Sequence, residues 1–255
     1  MNILKNFINK SFISNSTFNL NYQNYEVLGS ELKIQYSENK PFNHVVIDNF
    51  LPKKLCEYLL KKVPDPKNSL WKNTIGSDEI NQPNKLGMFH IKNLYDYDSQ
   101  LATVFQVFNS FAIINFLHKL TDFKALIPDP TFSGGGYHQI LRDGRLKIHA
   151  DFNWHENLKV YRRINLLLYL NKDWKDEYQG NLELWDKDMQ HCVKSIKPIF
   201  NRCVIFNTGK YSYHGHPIPL KCPENISRKS IATYYYESVP GPDDQSHHST
   251  LWKEN

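Results

Sequence analysis

Apolar and polar residues in this chain change their period about halfway along it. Up to Leu120 apolar side chains recur at helical spacing. From Pro128 to about residue 237 they alternate, or run unbroken in short stretches bounded by turn formers, as strands do. Leu55, Leu59 and Val63 mark a helix opened by Leu51-Pro52 and stopped by Pro64-Asp65-Pro66. Before it, Val45-Val46-Ile47 predicts a short strand. Leu101, Val104, Phe105, Phe108, Phe111 and Ile114, continued by Phe116 and Leu117, predict one long helix or two consecutive ones packed on a sheet. Residues 65–96 mix Pro, Gly, Asn and Asp with isolated apolar residues and read as a long loop or a lid. Residues 1–40 are polar and weakly periodic, and read as a peripheral extension adding a strand or a short helix.

In the second half, Tyr137 to Leu141 and Leu146 to Asp151 read as strands joined by the turn Arg142-Asp143-Gly144. Ile164 to Asn171 is nearly all apolar, as expected of a strand buried on both faces. Leu182 to Trp185, Cys203 to Phe206 and Ser227 to Glu237 follow. Helices first and then about eight short strands predict a mainly β fold with supporting helices, built on a double-stranded β-helix (jelly-roll, cupin-like) core at about residues 130–237.

At 255 residues the chain is long enough for one large domain. Aromatic residues make up 14%, which suits a β-rich core. The net charge of +5 is too small and too scattered to signal a nucleic-acid partner. Cys56, Cys192, Cys203 and Cys222 show no CxxC spacing, so a reducing, cytoplasmic setting is expected. No stretch approaches the roughly 18 apolar residues of a membrane span, and no membrane partner is expected. Ser133-Gly134-Gly135-Gly136 lacks the Lys and the helix of a phosphate loop and reads as a turn. His118 and His191 read as surface or packing residues, as does the tail from Pro240 to Asn255 with His247-His248.

One stretch brings in chemistry. Leu146 to Asp151 sets His149 and Asp151 two residues apart, so on a strand both point into one cavity. An imidazole and a carboxylate there, with a later His, make the 2-His-1-carboxylate metal face, which leaves coordination positions open. His191 sits in a turn-like stretch; His214 and His216 remain, and the pattern alone does not choose between them. On the strand from Ser227 onward, Arg228, Ser230, Ala232, Tyr234 and Tyr236 share a face. An inward Arg is costly to bury unless it pairs with a carboxylate, from a ligand or from an internal salt bridge.

Tyr169-Leu170-Asn171-Lys172-Asp173-Trp174, then Gly180-Asn181-Leu182-Glu183-Leu184-Trp185, then Arg202-Cys203-Val204-Ile205-Phe206 leading to His214, resemble the 2-oxoglutarate- and Fe(II)-dependent oxygenases, in their prolyl 4-hydroxylase-like branch. The resemblance covers about residues 130–237, and Pro41 to Val63 is similar to the family's first strand and helix. It implies a single dioxygenase domain at 41–240, between the extension and a tail at 241–255. It also implies Fe(II) held by His149, Asp151 and His214, which selects His214 over His216. Arg228 would grip the distal carboxylate of 2-oxoglutarate, with Tyr169 as its partner and Ser230 beside it. Gln139 stands where the oxygen-sensing enzymes carry a cosubstrate-site Tyr, with Tyr137 two positions away, and both are candidate cosubstrate contacts. Arg228 follows His214 by fourteen residues, a longer interval than in those enzymes, because Pro217 to Asn225 forms a loop.

The implied activity is hydroxylation of an unactivated C–H bond, with O2 consumed, succinate and CO2 released and ascorbate as reductant. A protein or peptide prolyl substrate is the first reading, a small metabolite such as a free amino acid, sugar or lipid precursor the second, and a non-catalytic jelly-roll binding protein the third. Trp71, Met88, Phe89 and His90, and also Trp154 and His155, are candidates to meet the substrate or simply to pack. Arg162-Arg163 reads as a solvated pair.

Overall fold

The computed structural model describes residues 18–73, 77–241 and 246–253. Residues 1–17 of the expected extension, 74–76 of the expected lid, and 242–245 and 254–255 of the tail lie outside the described residues. In chain order the elements are α1 (Tyr22–Glu38), β1 (His44–Ile47), α2 (Lys53–Lys61), β2 (Lys72–Asn73), α3 (Ser77–Asn81), β3 (Lys85–Met88), α4 (Ile91–Tyr97), α5 (Ser99–Phe105), a 3-10 turn (Gln106–Asn109) and α6 (Phe111–Thr121). They continue as β4 (Ile127–Pro128), β5 (Gly136–Ile140), β6 (Leu146–Ala150), β7 (Trp154–His155), β8 (Val160–Tyr169), β9 (Leu182–Trp185), β10 (Cys192–Ile196), β11 (Cys203–Asn207), β12 (His214–His216), β13 (Arg228–Glu237) and β14 (Leu251–Trp252).

The strands form two antiparallel sheets, the jelly-roll arrangement expected. The larger runs β1-β11-β8-β13-β5-β3-β2, with β4 on β13 and β7 on β8; the smaller runs β10-β9-β12-β6-β14. Alternation along the larger sheet sorts its side chains between two environments. Ile164, Leu166 and Leu168 of β8, and Ile231 and Tyr235 of β13, join Leu55, Leu101, Phe105 and Phe116 from the helices in the main core. Asn165, Leu167 and Tyr169 of β8, with Arg228, Ser230 and Ala232 of β13, face the space between the sheets.

Three expectations change. The N-terminal segment is a 17-residue helix, α1, and part of the core. Only Tyr25, Gly29 and Tyr36 are buried on it, so its apolar stripe is too thin to show as periodicity. Gly29 lets α1 cross α6 closely, since a Cβ there would meet the Phe116 carbonyl at 2.6 Å. Residues 65–96 are no simple loop: β2 and β3 form a hairpin that extends the larger sheet alongside β5, and Trp71 and Met88 are buried core residues. Finally, the run Ser99–Thr121 is long and apolar enough, by length and composition, to cross a membrane, contrary to the expectation that no stretch would be. In the fold the 3-10 turn breaks it, and Leu101, Phe105, Phe108 and Phe116 are fully buried against the sheet and α1.

Candidate metal centre

His149 is the penultimate residue of β6 in the smaller sheet, and β12 pairs with that strand so that His214 lies opposite His149. One donor atom each from His149, Asp151 and His214 falls within 4.8 Å of the others. The Asp151 carboxylate lies between the rings, 3.5 Å from His149 Nε2 and 3.4 Å from His214 Nε2. Each imidazole is oriented from behind. His149 Nδ1 donates to the Lys147 carbonyl at 2.8 Å and His214 Nδ1 to the Ser212 carbonyl at 2.9 Å, which leaves both Nε2 lone pairs aimed at the shared point. Gly215 makes the pairing possible: a Cβ there would meet the carbonyl oxygens of Leu146 and Lys147, each at 2.7 Å.

Electrostatics keep Asp151 and His214 in the form a metal needs. Burial alone would raise the Asp151 carboxyl, but Arg162, then His214 and His149, outweigh it and hold the group well below the usual carboxylate range. Burial pushes the His214 imidazole down to about 4 against the pull of Asp151, so the ring is neutral at physiological pH. A carboxylate and two imidazoles around one point form a donor set suited to a divalent transition metal such as Fe(II). His216 is absent from this cluster, although it lines the same cavity.

Two side chains not singled out in the sequence as partners of Asp151 stand behind it. Arg162 Nη2 and Asn165 Nδ2 both donate to Asp151 Oδ2, at 3.0 and 2.6 Å. Arg162 Nε in turn donates to Asn165 Oδ1 at 2.8 Å, and the guanidinium lies 3.4 Å from the Tyr234 ring centroid. This overturns the solvated-pair reading: Arg162 is 1% exposed, and Arg163 is buried against Glu237 at 3.0 Å.

The space between the sheets, about 70 Å³, opens to a mouth of about 480 Å³ through residues common to both, among them His149, Asp151 and Arg162. At the closed end Arg228 donates from Nε to the Gly180 carbonyl at 2.7 Å and from Nη2 to the Tyr169 hydroxyl at 3.2 Å. Among the described residues no carboxylate forms an ion pair with Arg228, so its charge is left for an anionic ligand. Ser230 lines the cavity beside Tyr169, its partner across β8 and β13.

Tyr137 and Gln139 are placed otherwise than expected. Tyr137 donates its hydroxyl to the Leu59 carbonyl in the helix-side core, and Gln139 donates to Ser227 Oγ; neither lines the cavity. β5 pairs His138 with Ser230 and Ile140 with Arg228, and opposed residues share a face, so His138 and Ile140 point inward instead. His155 does not meet the mouth either: it is buried 3.3 Å from Asp129. Trp154 stacks on His247 at 3.8 Å, and His90 caps α4, while Phe89 lines the mouth. The tail is not a plain surface segment. β14 pairs with β6, Trp252 opposite His149, with their rings 4.9 Å apart, and Trp252 forms one wall of the mouth.

Residues 135–236 match the family model described as 2OG-Fe(II) oxygenase superfamily. Over 86 residues, 32% of this chain, the sequence is 33% identical to the prolyl 3-hydroxylase OGFOD1 of Mus musculus, of which the match spans only 15%. Among solved structures the fold is similar to a prolyl hydroxylase from Trichoplax adhaerens in complex with a hypoxia-inducible-factor peptide fragment (TM-score 0.59, 17% identity, 86% of this chain and 94% of that one). It is also similar to a prolyl 4-hydroxylase from Phytophthora capsici (TM-score 0.59, 19% identity, 90% and 70%). A third is HygX from Streptomyces hygroscopicus, solved with nickel and 2-oxoglutarate bound (TM-score 0.53, 10% identity, 87% and 96%). In sequence over residues 135–236, and in fold over most of its length, the chain resembles the 2-oxoglutarate- and Fe(II)-dependent oxygenases, and among them the prolyl hydroxylases.

Proposed function

We propose that this protein is an Fe(II)- and 2-oxoglutarate-dependent dioxygenase that hydroxylates a prolyl residue of a protein or peptide, releasing succinate and CO2. The observation that carries the reading is the position of the His149–Asp151–His214 face, between a closed end holding the unpaired charge of Arg228 and an open mouth. Fe(II), held by those three side chains, would supply the activation of O2 and of the keto acid. Everything else falls to the protein.

The Lys147 and Ser212 carbonyls fix both imidazole tautomers, and Arg162 with Asn165 keeps Asp151 ionised and in one orientation. Arg228 draws the distal carboxylate of the cosubstrate to the closed end, where Tyr169 and Ser230 flank it. Leu167, Leu182 and Ala232 line the passage between and exclude water, so the keto acid reacts in a dry site. The substrate then approaches from the mouth and presents one C–H bond to the metal face, a matter of position rather than acid–base chemistry.

A peptide suits the mouth because it is open and lined by Phe89, Phe152 and Trp252, side chains against which an apolar residue can pack. The relatives named as prolyl hydroxylases support the same choice. We place the protein in a reducing compartment, since all four cysteines are free.

The test is succinate formation by the purified chain with Fe(II), 2-oxoglutarate and ascorbate, comparing proline-containing peptides with free amino acids and sugars. Peptides should stimulate it and gain one oxygen atom, and His149→Ala should abolish it. Turnover that survives that change would refute the metal face. Stimulation by a small metabolite alone would refute the peptide.

A further inference from the structure

The polar groups around the cavity are mostly paired within the protein, and His216 is the conspicuous exception. It is 2% exposed, yet among the described residues neither ring nitrogen has a hydrogen-bond partner. A buried polar atom without a partner is disfavoured, and an imidazole with two such atoms is a poor filler where Leu or Val would fit. The ring is not spare metal-binding capacity, since it stands outside the three-donor cluster. It sits two residues beyond His214, past a shift of register in β12, and lines the cavity together with Arg228, Tyr169 and Ser230. Arg228 is the charge that acts on it most strongly. Both groups therefore look onto the closed end, one with a positive charge that lacks an anion, the other with an N–H that lacks an acceptor.

We propose that His216 is a positioning residue for the keto acid, donating one ring N–H to the carboxylate that Arg228 grips. The inference rests on the reading under Proposed function and deepens it. Arg228 supplies the charge; His216 supplies a second direction of approach, which fixes the carboxylate in angle as well as distance and so sets how far the keto group reaches toward the metal face. Either neutral tautomer serves, because each carries one N–H.

The test is equilibrium binding without turnover, using Ni(II)-loaded protein and two ligands: 2-oxoglutarate, and 2-oxobutyrate, which lacks the distal carboxylate. His216→Leu should weaken 2-oxoglutarate roughly tenfold or more, the usual effect of losing a hydrogen bond to a charged group, and leave 2-oxobutyrate within about twofold. His216→Gln, which keeps a donor, should recover most of the loss. In turnover the KM for 2-oxoglutarate should rise while kcat changes little. Equal affinity of His216→Leu and wild type for 2-oxoglutarate overturns the proposal, as does equal weakening of both ligands, which would mark a packing role. Ni(II) affinity reports that the fold is intact. If the leucine variant does not fold, His216→Asn, too short to reach, is judged by the same criterion. Wild-type protein that binds Ni(II) but not 2-oxoglutarate would bring down both this inference and the proposed function; wild-type binding with an indifferent His216→Leu brings down this one alone.

Discussion

Arg162 donates to the Asp151 carboxylate at 3.0 Å from inside the protein, with its guanidinium on the face of Tyr234. A charge pair this deep is worth less as a net attraction than as a condition on its members, because removing one leaves the other buried and uncompensated. Arg162→Leu should destabilise the metal-free protein by about 3–5 kcal/mol. It should also weaken metal binding by about 10- to 100-fold. Arg162→Lys should recover only part, since an ammonium cannot both stack on the ring and reach Asp151 and Asn165. Thermal melts and metal titration read the two effects separately. A leucine variant with wild-type metal affinity would refute the role given to Arg162.

Gly215 determines whether His149 and His214 can meet at all. Its missing Cβ is the space in which two carbonyl oxygens of β6 lie, and backbone atoms cannot yield as a side-chain tip does. Gly215→Ala should therefore cost about 1–3 kcal/mol of stability by overpacking. It should also push β12 from β6, so that metal affinity falls by more than the loss of stability alone would predict. Isothermal metal titration at a temperature where the variant is fully folded checks this.

Trp252 closes the mouth beside His149 without touching the closed end of the cavity. Trp252→Ala should raise the KM for the hydroxylated substrate about 3- to 10-fold, the loss of one aromatic contact. The KM for 2-oxoglutarate should stay unchanged. A rise in both would mean that β14 supports the metal face rather than the substrate.

His138 gives the metal-free protein a pH dependence. Burial, and after it the charge of Lys85, holds this imidazole well below its ordinary value. The unfolded chain then takes up a proton near pH 6.5 that the folded chain refuses, so stability is complete above about 6.5 and declines as pH falls below it. The slope for one such group is about 1.4 kcal/mol per pH unit. His138→Leu should lose that share of the slope while the rest of the pH profile persists. Denaturant melts of the two proteins between pH 7 and pH 5 give the comparison, and parallel curves would count against it.

The structure also shows why some residues were legible from sequence and others were not. The spacing of His149 and Asp151, and the shared face of Arg228, Ser230, Ala232 and Tyr234, follow from strand alternation, a property of the backbone that holds wherever the strand goes. Arg162, read as half of a solvated pair, was not legible in that way. Counting back by twos from Tyr169 through Leu167 and Asn165 gives Arg163, not Arg162. The pairing of β8 with β13 slips at that point, opposing Tyr235 to Ile164 but Tyr236 to Arg162, and this bulge turns Arg162 inward. Tyr137 and Gln139 failed differently: the resemblance named them by position, but only the register with β13 says which face of β5 looks into the cavity.

Periods of two and 3.6 residues, written locally into the chain, were enough for the helices-then-strands pattern, the jelly-roll class, and which ligand-type residues share a strand face, but not for the thin-striped N-terminal helix or the short elements within residues 65–96. Strand pattern left His214 and His216 open and the family resemblance selected His214; long-range packing brings it to His149 and Asp151, puts Arg162 and Asn165 behind Asp151, leaves His216 unpaired among the described residues, and lays the C-terminal strand beside the metal face. Those outcomes rest on register, bulges and the choice of pairing partner, and each is fixed by segments far apart in the chain.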